Sequence, residues 1–366
     1  MLTIVVSEIG EIVMKHKLIK IVPILLMGLS LSACTLLSDM GIGNSGMTKL
    51  AKYKHEVTFA EFRDKLVEHT KKLPYANSTY TIKDTQVEAE YKADIKQKVT
   101  NDSYKEKTRN EASGKASVSA KVTYDADNQT FEATAKAEAK VKEKSPVYGD
   151  AEGSYKNSVN FAGQPGTLDR YVFINKDDKT YLNVQMYENF SMNQFLSNYI
   201  QTAMKYVNEQ LPLMDEQSFD YYLDTMGYGD NISLKFYADD NVMTIVADLD
   251  NVINRTYYEY DSYYQTGREL VYAQEHDKLK VVLQAKVVKV LKVRASIEGT
   301  VEIDYLANHN AWLDGFFPTI SGSLTGSCTK GDKEVIDIDY AAGLNYQEKK
   351  VNHKPLDLSK YRESNY

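Results

Sequence analysis

The chain has 366 residues, 43% of them apolar and 26% charged, a globular balance that excludes a disordered, collagen-like or multi-span membrane protein. Its 44 basic and 51 acidic residues leave a net charge of −7, so no bulk positive field points to nucleic acid. Two cysteines exclude a disulfide scaffold and a zinc site made of four thiolates.

Residues 14–34 have the build of a secretory signal. Lys15, Lys17 and Lys20 form a positive region, Ile21 to Leu31 an apolar one, and small residues then lead to a cysteine. The apolar run is about a dozen residues, short of the ~20 that a spanning helix needs. Met14 is therefore the expected start, with 1–33 the signal segment. The ending Leu31-Ser32-Ala33-Cys34 resembles the lipobox of bacterial lipoproteins. That resemblance implies that Cys34 is diacylated, with palmitate-like chains, and becomes the mature N-terminus. It places the protein on the extracytoplasmic face of the bacterial cell membrane, held by its lipid anchor. Two acyl chains anchor stably, because each buried CH2 adds roughly 0.8 kcal/mol. Without residues 1–33 the net charge is −8, so charge alone does not hold the chain to anionic lipid. Residues 34–52, with Gly41, Gly43, Gly46 and two serines, read as a flexible tether, and 53–366 as a β-rich extracytoplasmic domain.

A helix is expected over 58–72, where Thr58 and Glu61 make a capping box and Phe59, Phe62, Leu66 and His69 share a face. Period-two alternation then dominates. Odd positions are the more apolar ones over 85–99, even positions over 116–126, and odd positions again over 131–141. The switch of parity at Asp125–Gln129 predicts a hairpin, and its small inner residues predict something packed close to that face. Further hairpins are expected from 169–175 with 179–187, 231–238 with 242–249, and 320–328 with 334–346. Residues 279–305 alternate for 27 residues with a break at Lys289, which predicts a bulge or bend there. A second helix is expected over 191–207, opened by the capping box Ser191–Gln194. Its stripe is Met192, Phe195, Leu196, Tyr199, Ile200, Ala203, Met204 and Val207, and Pro212 closes it. A short helix is expected near 218–226, and 250–264 is compatible with another.

These elements predict an α+β, mainly β fold: a large curved antiparallel sheet, half-barrel-like, with a few amphipathic helices on its concave face. Two similar halves, about 53–190 and 191–350, are compatible with the order. This organisation is similar to that of the LolA/LppX-like bacterial lipoproteins and lipoprotein carriers, a likeness of element order and anchor type. The resemblance implies an unclosed half-barrel whose cavity holds lipid or acyl chains.

No H-E-x-x-H, G-x-S-x-G, P-loop or G-x-G-x-x-G pattern occurs, so no enzyme activity, metal or cofactor is expected. Polar turns at 125–128 and 239–241 lack the central Gly and closing Glu of a calcium loop. Cys328, at an apolar position of an alternating run, reads as a buried strand residue. Five tyrosines fall between Tyr257 and Tyr264, and the only Trp, Trp312, stands near Phe316 in an apolar loop. The expectation is a non-catalytic, lipid-anchored protein that binds a lipid or acyl chain. The candidate contacts are Met192, Phe195, Met204, Leu283, Leu291, Trp312 and Phe316. The alternative is a cell-surface interaction protein that uses its tyrosines for glycan or protein contact.

Overall fold

The computed structural model describes residues 49–364, apart from 74, 78, 83–85, 104–107, 147–148, 219–220, 222–230, 261–267, 289–290 and 310–332. The signal segment, Cys34, Trp312, Phe316, Cys328, the strand expected over 320–328 and most of the 218–226 helix lie outside the described residues.

The described strands join into one large curved sheet of 13, antiparallel but for its last pair. A first meander comprises β2 (Gln86–Ser103), β3 (Thr108–Asp125), β4 (Thr130–Lys144), β5 (Ala151–Pro165), β6 (Arg170–Asn175) and β7 (Thr180–Gln185). A second comprises β8 (Ile232–Asp239), β9 (Val242–Tyr260), β10 (Arg268–Val287), β11 (Leu291–His309) and β12 (Lys333–Glu348). The last strand of the second meander pairs with the first strand of the first, β12 with β2, so one sheet runs from β8 to β7. Two-residue strands finish the edges: β1 (Glu56–Val57) on β8, and β13 (Arg362–Glu363) in parallel on β7. Each of these covers pairs with only two residues of its neighbour.

Three segments differ from the sequence expectation. Residues 279–305 are the end of β10 and most of β11, two antiparallel strands in which Val287 faces Leu291. The register shift in this pair falls at Tyr272/Ala273 instead. Residues up to Tyr260 continue β9 as strand rather than helix, paired with β10 throughout. Residues 151–165, where alternation gave no strand, form β5.

The pairing registers define an inner face: odd residues on β9, β10, β11, β2, β4, β5 and β6, and even ones on β12, β3 and β7. Two helices cover part of it. Helix α1 (Phe59–Thr70) opens on the full Thr58–Glu61 capping box and packs Phe59 and Phe62 on Phe236 of β8 at 5.4 and 5.3 Å. Helix α2 (Met192–Lys205) continues through a π turn at 206–210 and a 3-10 turn at 211–213 that contains Pro212. Phe62 and Leu66 of α1, and Ile200, Met204 and Val207 of the second helical stretch, join Ile245, Leu283, Leu291 and Val293 in one buried core. Each such side chain contributes about 1.5–3 kcal/mol relative to exposure, so this half of the inner face organises the fold.

The chain ends cross the outer face as straps. At the N-terminal end, buried Gln284 of β10 donates to Ala51 O at 2.9 Å and accepts from Ala51 N at 2.8 Å, and it also reaches Thr244 Oγ1 at 3.1 Å. Gln284→Ala leaves both backbone groups of Ala51 without these bonds. It should cost about 1–3 kcal/mol in chemical denaturation, and an unchanged midpoint would mean that the strap contributes nothing. At the other end, Lys349 and Lys121 hold buried Glu88 at 3.1 and 2.7 Å. The chain then follows the outer face to Gln164, which exchanges two hydrogen bonds with Leu356. Leu356, Leu358 and Tyr361 cover Ala162, Val172 and Ile174 in a second cluster before β13 closes the edge.

Candidate functional site: an uncovered apolar face beside helix α2

The start of α2 is fixed to the β3–β4 turn. Gln129, with φ +52°, directs Oε1 at the helix N-terminus, where it accepts from Met192 N at 2.9 Å and Ser191 Oγ at 3.0 Å. Tyr171 donates to Gln129 O at 2.7 Å and Tyr124 to Asn193 Oδ1 at 2.6 Å. Burial pushes both phenols well up, so they remain protonated donors. Further along, Ser197 Oγ accepts from Ile82 N, and Gln201 and Asn208 donate to Tyr80 O and Ala76 O. The 75–82 loop thus binds one flank of the helix.

The opposite flank is open. Phe195 stands 36% exposed, off the buried stripe that the sequence placed it on. The buried line runs through Ser197, Ile200, Ala203 and Met204; Phe195 and Tyr199 lie beside it on the helix and touch each other at 5.4 Å. They extend a file of rings from helix to sheet: Phe195 to Phe190 at 6.3 Å, Phe190 to Tyr187 at 5.4 Å and to Tyr171 at 6.1 Å, Tyr171 to Phe173 at 5.3 Å, and Phe173 to Phe131 at 6.3 Å. These are centroid separations at which aromatic pairs attract. Gly163 lies under Phe131, and a Cβ there would fall 2.1 Å from the ring.

Next to this file, among the described residues, no helix covers the inner face of β3, β4 and β5. Ala133, Ala135, Ala137 and Ala139 follow one another on β4, paired to Phe161, Val159, Asn157 and Tyr155 of β5 and to Val122, Ala120, Val118 and Ala116 of β3. The alanines run about 20 Å along β4, at 3.2–3.4 Å per residue; Ala133 at one end is buried, with Ala120 and Val122 of β3, and Ala135, Ala137 and Ala139 are half-buried. Val118, Tyr155, Phe161 and Leu182 rise around them with 36–49% of their surface exposed. Side chains of this size on one sheet face, continuous with an aromatic file, make a trough able to take apolar surface out of water.

The other expected contacts are placed differently. Met204, Leu283 and Leu291 are buried in the core, and Met192 packs against it. They touch the protein's own side chains and lie away from the trough, so among the described members of the expected set Phe195 alone borders it. Among the described residues no group of three His, Cys, Asp or Glu is arranged to hold a metal, and no helix is long and apolar enough to cross a membrane.

No protein-family model matches the chain, and no curated protein matches it. Among solved structures it is similar to Pseudomonas aeruginosa OccK7 (OpdD), at 7% identity over 73% of this chain and 99% of that one. The TM-score is 0.17, too low for that likeness to carry an argument.

Proposed function

We propose that this is a non-catalytic, lipid-anchored extracytoplasmic protein that binds a lipid or acyl chain, with the trough on β3–β5 as its contact surface. The lipobox at Leu31–Cys34 supports the anchor. The observation that carries the binding reading is the exposed set Val118, Tyr155, Phe161 and Leu182 around the β4 alanines, joined to the ring file that ends at Phe195. Burying apolar ligand surface against it contributes about 25 cal/mol per Å2, part of which offsets the cost of ordering the ligand. The expected Leu283 and Leu291 contacts have no part in this reading, because protein side chains already surround them.

An environment-sensitive fatty-acid probe titrated into Cys34→Ala protein should give a saturable signal. Val118→Asp and Phe161→Asp each place a charge where apolar ligand would lie, on side chains that the fold already exposes. They should weaken binding at least tenfold while leaving the melting temperature within a few degrees. Saturable binding that both variants retain would place the ligand elsewhere. No saturable binding would favour the second reading, a glycan or protein contact surface, for which the 66% exposure of Tyr187 and 49% of Tyr155 speak.

A further inference from the structure

We propose that the outer face carries an anion site, centred on Lys96, Lys115 and Lys140, that takes a phosphate-bearing ligand. The three lysines are directly opposite one another across β2, β3 and β4: Lys96 faces Lys115, and Lys115 faces Lys140. Residues at such positions have Cβ atoms about 4.5–5.5 Å apart, and like charges there repel. Asp339 of β12 stands opposite Lys96 and neutralises that end of the file, while Lys140 faces Ser154 of β5, so Lys115 and Lys140 adjoin with no carboxylate opposite either, in a chain whose net charge is −7.

The file lines a groove of about 390 Å3 that draws on five adjacent strands, β11, β12, β2, β3 and β4, so the outer face is hollowed along this row. Arg294 of β11 forms part of its wall, and Ser117 adds a hydroxyl. The carboxylates in the groove already have lysine partners. Asp339 pairs with Lys96 at 2.6 Å, Glu138 with Lys156 at 3.0 Å, and Asp94 with Lys92 at 2.9 Å. Among the described residues Lys115 and Lys140 have no carboxylate partner.

Ammonium groups are compact point charges with three donors each, and they suit a tetrahedral, multiply charged acceptor better than a planar carboxylate. Arg294 adds positive charge to the wall of the groove. A phosphate monoester or free phosphate fits this donor set, and the site is independent of the trough on the inner face.

Calorimetric titration of the full chain at constant ionic strength tests this, with inorganic phosphate and glycerol 3-phosphate as probes. At least one should bind saturably. Tighter binding of glycerol 3-phosphate assigns a lipid headgroup, and tighter binding of inorganic phosphate assigns a soluble ligand. The double variant Lys115→Gln/Lys140→Gln should weaken binding at least tenfold. Lys136→Gln, on the same face of β4 outside the groove, should leave it within twofold. Absence of saturable binding by either probe would overturn the site, as would equal binding by the double variant. An equal loss in Lys136→Gln would also overturn it, since the response would then come from the general field of the face.

Discussion

Gly299→Ala is expected to lower stability by about 3–5 kcal/mol, one of the largest losses available to a single methyl group in this protein. Gly299 sits in β11 between Leu279 of β10 and Ile338 of β12, with φ +153°. A Cβ there would meet Lys278 O at 2.0 Å and Leu279 Cα at 2.8 Å. Both are backbone atoms of the paired strand, so relief requires that the strands part. Strain of an L residue at such a φ costs about 1–3 kcal/mol, and overpacking adds a similar amount. The strands concerned carry Leu283, Leu291 and Val293 of the core, so the loss should appear as a fall in melting temperature on the order of 10 °C. A variant that melts with the wild type would mean that β10 and β11 do not approach this closely.

Asp125→Ala should cost about 3 kcal/mol and release the C-terminal strap. Asp125 is buried at the end of β3. Its carboxylate accepts from Asp127 N at 3.0 Å, Asn128 N at 3.3 Å, Asn128 Nδ2 at 3.1 Å and His353 N at 3.0 Å. The last bond ties residues 349–363 to the sheet. Burial alone would raise the carboxyl, but the N–H donors from His353, Asn128 and Asp127 outweigh it and hold Asp125 below the usual carboxylate range. The sign of the pH dependence follows. The stabilisation is complete above the unfolded value of about 3.9 and is lost as pH falls through the lower folded value. The stability difference between wild type and Asp125→Ala should therefore be constant at neutral pH and shrink in acid. Hydrogen exchange of residues 349–364 should quicken in the variant. Unchanged exchange there would mean that the strap is held without Asp125.

Much of the sheet is legible in the sequence because one face of most strands is apolar. The limits of that reading are physical. At 125–130 four residues connect β3 to β4, so the parity of the apolar positions switches and the hairpin shows. At 287–291 three residues connect the strands, so Val287, Lys289 and Leu291 share a parity, and two strands read as one. Strand β5 escapes because Tyr155, Lys156, Asn157 and Ser158 are all exposed, leaving no buried face to impose alternation. Residues 250–260 are ambiguous as periodicity, and the pairing with β10 decides them.

The candidate site was legible only in part. The stripe on α2 is wide enough to hold two functions: Ile200 and Met204 face the core, while Phe195 and Tyr199 begin the ring file. Sequence spacing places all four on one side of a helix but does not say where the sheet beneath ends. Alternation likewise places Ala133 to Ala139 on one face without telling whether that face is covered. The small residues predicted close packing, which holds at Ala120 and Ala133, while Val118, Tyr155 and Phe161 of the same face stay exposed. The straps are illegible locally, since Gln284 with Ala51 and Asp125 with His353 are contacts across more than 220 residues.

The binding of an acyl chain on the inner face is tested most directly by photo-crosslinking with a diazirine-bearing fatty acid, followed by peptide mapping. Labelling should concentrate in residues 116–122, 133–139 and 155–161, with a further adduct near Phe195, and excess unlabelled fatty acid should suppress it. Labelling confined to the peptides that carry Leu283 and Leu291, or spread over the chain without competition, would contradict the account.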